Sequence, residues 1–500
     1  MEHADWRCLR RAARAGDPGQ DRGEVPDDGA ARRRGLGPIG HGNIYGVLVH
    51  AMIAVDATSG SCLGLVGGDV WSRAGVNPTP HRERPLCERE SVHWIDTAQQ
   101  AKRVLQPAAL VTMIADREAD IYRLWGSVPE AKFHVLTRAF TDRSLADGGK
   151  LFAAATALPL AGWQKIELPA RDPGQPKRTA VVQLRYGAVE IRRPEHENDR
   201  SLPPSVSLRV IEVREVKPPP RVEPLHWRLL TTHTIPDAAA AWQIVGWYQQ
   251  RWIIEQLFRV MKSQGLQLED SQIASAERLV KLAAVATKAA CIDIQLTQAR
   301  DGKAQLPASN LFTAAEIDTI AVLSPTLEGN TDRQRNSHPP RSLAWAAWCI
   351  ARLGGWNCYY KPPGPITFRR GMEQFYAIHR GRELEMKLQR EVRIPQSTRR
   401  RQPPQKYDGS RPHRTLERPQ LHRTECWTSC ARTAIPSFRR TRLLVTQPPL
   451  IGYPAENLWA VIPAYRRRDW RPYVRARPSA PPRRRQPAVR ENPSAVLQLG

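Results

Sequence analysis

The segment from Ala109 to Trp125, ALVTMIADREADIYRLW, restricts the fold more than any other stretch. It begins as an unbroken apolar run, turns polar at Asp116 and then takes on helical spacing. A short continuous apolar run suits a strand buried on both faces, which needs a covering layer on each side. Its neighbours agree. IYGVLVHAMIAVD (44–56) and SCLGLVGGDVW (61–71) read as strands joined by a turn at residues 57–60, with Asp56 as a turn residue. SVHWIDTAQQAKRVL (91–105) has helical spacing through Trp94, Ile95, Ala98, Ala101 and Val104, and KFHVLTRA (132–139) is a further strand. Strands and helices intermixed in this way predict an α/β fold.

From about residue 140 to 225 the pattern changes. Short alternating segments, among them RTAVVQLRYGAVEIRRP and SVSLRVIEVREV, are separated by Pro and Gly turns and read as a β-rich block. HWRLLTTH (226–233) is another strand, which feeds a helix. Helices are expected to continue through SAERLVKLAAVATKAACIDIQLTQA and RSLAWAAWCIARLGGW. No internal repeat is visible. The expected division is a poorly ordered basic segment at 1–34, a core in two parts (35–139 and 226–300) around a β-rich insertion (140–225), a helical region at 301–393, and an Arg- and Pro-rich, disordered tail at 394–500.

Within the first helix after that insertion lies YQQRWIIEQLFRVMK (248–262). Asp237 can cap its start and Gly265 its end. At about 100° per residue, Tyr248, Arg251, Glu255 and Lys262 share an arc of roughly 60°, opposite an apolar stripe. An acid, two cations and a phenol in line fit an ordinary solvated face. They equally fit a face turned toward a phosphate backbone, with Arg251 and Lys262 holding phosphates and Tyr248 donating to one.

Asp116 sits where an apolar strand stops, a common place for chemistry in α/β sheets. It can be the N-cap of the helix that DREAD opens. It can also join Glu255 in binding divalent cations through hard oxygen ligands, Mg²⁺ or Mn²⁺, for phosphodiester chemistry. Asp120, one turn on, reads as solvated or salt-bridged.

The formal net charge of +26 points to a polyanionic partner, most simply nucleic acid, although the basic tail contributes part of it. Eight scattered cysteines without a repeated CxxC pair fit a reduced, cytoplasmic protein. His422, Cys426 and Cys430 have metal-ligand spacing but no clear fourth partner. No apolar run reaches the roughly 18 residues of a membrane span, and the N-terminus has no apolar signal core.

The spacing Tyr248-x2-Arg251-x3-Glu255-x6-Lys262 resembles the YREK signature of the IS4-type insertion-sequence transposases. ADREADIY is similar to the segment that carries that family's second catalytic Asp, which places the role on Asp116. GLGPIGHG, LVHAMIAVD and WCIARLGGW extend the resemblance over roughly residues 35–380. It implies an RNase H-like mixed sheet flanked by helices, with a β-rich insertion before the Glu-bearing helix. It implies a DDE triad working with Mg²⁺, in which Asp116 and Glu255 are catalytic and metal-binding. The implied partners are double-stranded DNA, as element ends and target, and a second copy on that DNA, at the nucleoid and without a membrane. The implied reaction is cut-and-paste transposition: water nicks the end, the freed 3′-hydroxyl forms a hairpin, and the reopened end attacks the target. Trp227 would stack on a displaced base, for which indole offers a flat face, or fill the core. One departure stands out. The family's first Asp lies in an Asp-Thr-Thr segment upstream of the GLGPIG-like stretch, and this sequence has none. Asp17 and Asp21 lie in GDPGQDRGE, which is not a strand. The ends read like out-of-frame translation. The readings are therefore a transposase core, or a non-catalytic DNA-binding or self-associating remnant of one. A general basic nucleic-acid-binding protein is the third.

Overall fold

The computed structural model describes residues 35–38, 45–73, 90–168, 177–264, 266–271, 273, 275–303, 305–393, 442–446 and 451–454. They all belong to one unit, Met1–Leu458; a second, Trp459–Gly500, lies outside the described residues. So do the expected segment 1–34, Gly265 and the His422, Cys426 and Cys430 trio.

A two-residue strand, β1 (Gly37–Pro38), pairs antiparallel with β2 (Tyr45–Asp56), which pairs antiparallel with β3 (Cys62–Trp71). Gly37 has no room for a side chain: a Cβ there would lie 1.8 Å from the Arg73 carbonyl oxygen. Asp56 ends β2, and its Oδ1 accepts from the Thr58 and Ser59 amides at 3.0 and 2.6 Å, a turn made by a short acid bonding its own backbone.

β2 shows why the apolar runs are continuous. Val49, Ala51, Ile53 and Val55 enter one core cluster, while Met52 and Ala54 enter another on the opposite face. Side chains alternate across a strand, so both faces of the sheet are covered. α1 (Val92–Val104) brings Trp94, Ala98 and Ala101 to the second cluster. β4 (Leu110–Ala115) follows, then a single 3₁₀ turn (Arg117–Ala119), α2 (Tyr122–Ser127) and β5 (Phe133–Arg138), which runs parallel to β4.

The β-rich block holds α3 (Leu151–Ala157), β6 (Leu160–Leu168), β7 (Arg178–Arg192) and β8 (Ser205–Glu215). β9 (His226–Thr231) pairs with both β8 and β5, so the block extends the core sheet. The whole is an RNase H-like α/β fold, a mixed sheet flanked by helices with the β-rich insertion before the helix of Glu255.

That helix differs from its expected form. Asp237 does cap α4 (Ala238–Gln249), accepting from the Ala240 amide at 2.8 Å. The chain then steps through i to i+3 bonds, Gln250 N to Trp247 O and Arg251 N to Tyr248 O, before α5 (Trp252–Arg259) and a π-helical turn (Val260–Gln264). A 3₁₀ step shortens the turn and a π turn widens it, so one helical wheel does not describe residues 248–262.

α6 (Ala276–Ala299) lays Leu279, Ala283, Ala290 and Ile294 on the first cluster. α7 (Ala314–Leu327), opened by a Thr313–Glu316 capping box, α8 (Leu343–Leu353) and α9 (Pro365–Arg393) surround a third. α8 and α9 cross so closely that a Cβ on Gly371 would lie 1.9 Å from the Ile350 carbonyl oxygen.

Within the tail expected to be mostly disordered, two short segments are strands. β10 (Arg442–Thr446) lies between β2 and β4, and β11 (Ile451–Pro454) pairs with β2. RLLVT and IGYP are short apolar pieces in an Arg- and Pro-rich context, too brief to stand out by periodicity.

Gly371→Ala tests the helix crossing. Alanine favours an isolated helix by about 1 kcal/mol over glycine. The overlap with a carbonyl forces the helices apart, so a net loss of about 1–3 kcal/mol is expected in urea denaturation. Unchanged or increased stability would contradict the close crossing.

Candidate functional site

Asp116 follows the last residue of β4. Its backbone is extended, and its Oδ1 accepts from the Glu118 amide at 2.9 Å, so it caps the 3₁₀ turn. The cap reading and the functional one are therefore compatible, because one carboxylate oxygen is used locally and the other is not. The side chain is half-buried. Burial raises its carboxyl above the ordinary carboxylate range; Arg251, the Glu118 amide, Arg117 and Arg138 pull it back only in part.

Arg251 is the meeting point. Its guanidinium donates through Nη2 to Glu255 Oε1 at 2.8 Å, and it is in electrostatic contact with Asp116 and Tyr248. Burial opposes its charge, yet Tyr248, Glu255 and Asp116 together hold the guanidinium's pKa above its ordinary value. Its side chain is only 14% exposed, whereas that of Glu255 is 48% exposed. The structure thus brings Asp116 and Glu255, from the end of a strand and the first turn of α5, to the same cation.

Of the remaining residues of the expected stripe, Tyr248 is buried beside Arg251 and Lys262 lies elsewhere. Tyr248 is 3% exposed and meets Trp227 edge-on, ring centroids 5.2 Å apart. Burial raises its phenol. Tyr248, expected to donate to a DNA phosphate or pack on a sugar, has its ring in the core cluster and is in electrostatic contact with Arg251. Trp227, on β9 and 4% exposed, belongs to the same core cluster, which fits the core reading. Its edge borders a cleft of about 530 Å³ lined also by Trp242, Trp252, Lys165, Lys177 and Gln249. Lys262, in the π turn, pairs with Glu269 at 3.2 Å. Asp120 is buried and takes a structural part, accepting from the Phe140 and Thr141 amides at 2.8 and 2.6 Å and from Arg143 Nε at 3.0 Å.

Two cations were missed from sequence. Arg138, the last residue of β5, acts on both Asp116 and Tyr248 and donates through Nη2 to the His226 carbonyl at 3.2 Å. Arg117 follows Asp116 and lies over the Phe140 ring. Among the described residues neither has a carboxylate at ion-pair distance. A signal existed: each is a polar residue where an apolar strand stops, the argument already applied to Asp116.

The donor set bears on a metal. Among the described residues no three His, Cys, Asp or Glu side chains gather closely enough to hold one. On the other edge of β4, as far as Ile114, lies β10, whose residues RLLVT include no acid. Two carboxylates fit one divalent cation completed by water and phosphate oxygens, the usual way Mg²⁺ is held.

Residues 40–292 match the family of transposase DDE domains. The chain belongs to this family of DDE transposases. The matched range takes in Asp116, Arg138, Arg251 and Glu255, and it ends within α6. DNA is accordingly the transposase's partner class. Among its described residues no helix is long and apolar enough to cross a membrane.

The raised carboxyl of Asp116 makes a stability prediction. The fold binds this proton more tightly than the unfolded chain does, so Asp116 opposes folding once pH exceeds its unfolded value near 4. The penalty grows until pH passes the folded value and is absent at lower pH. Asp116→Asn keeps an acceptor for the Glu118 amide and removes the charge. Urea melts should show it more stable than wild type at pH 7, with the difference vanishing below about pH 4. A variant less stable at pH 7 would reverse the assigned cause.

Proposed function

We propose that this DDE transposase is a core of the IS4 type that cleaves and joins DNA strands in cut-and-paste transposition, with Asp116 and Glu255 as its catalytic, metal-binding carboxylates. The observation that carries the reading is their convergence on Arg251, from segments 139 residues apart, at the end of a buried strand. Two acids held by one buried guanidinium resist the mutual repulsion that would otherwise protonate or separate them. The proposed cofactor is Mg²⁺, or Mn²⁺, bound by Asp116 and Glu255. When bound it would supply Lewis-acid stabilisation of the charge that builds on the reacting phosphate.

The chain's own residues have separate tasks. Glu255, the more exposed acid, faces the incoming DNA. Arg138 and Arg117, which act on Asp116 and among the described residues have no carboxylate at ion-pair distance, would take phosphate oxygens, where guanidinium forks bind bidentately. Arg251 orients Glu255 and offsets its charge, and Tyr248 lies beside Arg251. Lys262 contributes to DNA binding by exchanging its contact with Glu269 for a phosphate. The residues flanking the insertion, 35–139 and 226–300, form the working core in this reading, and a homodimer on DNA would bring two element ends together.

One observation favours the second reading, a non-catalytic remnant that binds DNA or itself. β10, the strand beside β4, contributes no acid, so the described residues provide two of the three carboxylates of a DDE triad.

A strand-cleavage assay on element-end DNA decides between them. With Mg²⁺ or Mn²⁺ the wild-type chain should nick, and Glu255→Ala should lower the rate by roughly a hundredfold or more, as loss of several kcal/mol of transition-state stabilisation requires. DNA binding without nicking in either metal would establish the remnant. Equal nicking by both proteins would remove Glu255 from the reaction.

A further inference from the structure

β10 is almost the last strand in the chain, yet it lies inside the sheet. It pairs with β4 from Arg442↔Leu110 to Thr446↔Ile114, and with β2 from Leu443↔Asp56 to Thr446↔Ile53. β11 continues along the same edge of β2, from Ile451↔Val49 to Pro454↔Gly46. β10 and β11 together therefore pair with residues near both ends of β2.

Without β10, β2 and β4 would face each other across roughly 9.5 Å, two strand spacings, too far to bond directly. Both would present unpaired backbone groups in the middle of a buried sheet, which proteins rarely leave unsatisfied. The position therefore has to be filled by a strand, and the filler comes from a remote part of the chain. α9 ends at Arg393, and residues 394–441 lead to β10. At full extension such a length can span on the order of 150 Å. That reach exceeds a domain's diameter, so the connection does not dictate which molecule's sheet the segment enters. The contacts that hold it are main-chain ladders, which an identical segment reproduces in trans.

We propose that the position between β2 and β4 is a strand-exchange slot, filled by β10 of a second copy of this chain, with its β11 beside β2, when two copies pair. In an isolated molecule its own segment fills the slot, favoured by effective concentration. At high protein concentration, or with two copies on one DNA, the swap closes a symmetric dimer without any new surface. The inference does not depend on the catalytic reading, since it concerns backbone pairing alone.

The test uses full-length protein carrying Leu444→Pro, which removes an N–H from the ladder and clashes with a central strand. The variant should melt at least about 5 °C below wild type and should capture a labelled peptide of residues 440–456, whereas the same peptide with proline at 444 is not captured. If the variant does not fold alone, refolding with excess wild-type peptide should recover soluble protein, and the proline peptide should not. Wild-type copies with two different tags, unfolded and refolded together at high concentration after nuclease treatment, should co-purify as mixed dimers; Leu444→Pro copies should not. A variant that melts like wild type and ignores the peptide overturns the slot, as does failure of excess peptide to recover a misfolded variant. Wild-type copies that never form mixed pairs, or variant copies that pair equally well, overturn the exchange.

Discussion

One buried guanidinium organises the candidate site of this molecule. Arg251 bonds Glu255 and stands in the fields of Asp116 and Tyr248. Two carboxylates brought close in a half-buried place repel one another, and desolvation adds to the penalty. A cation that cannot lose its proton is the simplest remedy, and arginine serves better than lysine because its charge persists when buried. The position of Arg251 depends in turn on the 3₁₀ step between α4 and α5. In an unbroken helix Arg251 would share the solvent face of the whole stretch. At the start of α5 it turns inward, between a strand end and a helix.

The sheet supplies the other half of that arrangement. Covered on both faces, it alternates its side chains between two apolar clusters, with Ile114 facing the one that also takes α4, α5 and α6. Asp116 is two residues beyond Ile114. The first polar residue past the buried strand therefore emerges toward the helices that carry Arg251 and Glu255. β5, parallel to β4, ends at the same level and delivers Arg138 there. Parallel strands end together, and their carboxyl ends collect functional groups from separate parts of a sequence. β10 occupies the opposite side of β4 and brings no acid.

Much of this architecture is legible in the residues themselves. Continuous apolar runs mark β2, β4 and β5, alternation marks β7 and β8, and the helical spacing of 91–105 and 275–299 needs no tertiary help. Asp237 is a cap by its chemistry, and Asp56 a turn residue by its own backbone bonds. The Tyr248-to-Lys262 spacing, with ADREADIY, points to Asp116, Arg251 and Glu255 and to the transposase family that the chain belongs to. Local patterns of this kind survive folding because each is set by bonds and burial within a few residues.

Other features follow from contacts between distant segments, which local pattern does not encode. Tyr248 and Trp227 look like surface candidates in isolation, but they are core rings because α4 and β9 pack against each other. Lys262 is drawn to Glu269 by a π turn that no periodicity announces. Arg117 and Arg138 gain meaning only beside Asp116. The entry of residues 442–446 between β2 and β4 has no sequence signal beyond five residues of strand-forming type. The sequence by itself determined the strands, the helices and the acids at their ends, since period and polarity are properties of neighbours along the chain. The tertiary structure alone decided which charges share a site and which strand stands beside β4, because electrostatic contact and backbone pairing act through space between segments far apart along the chain.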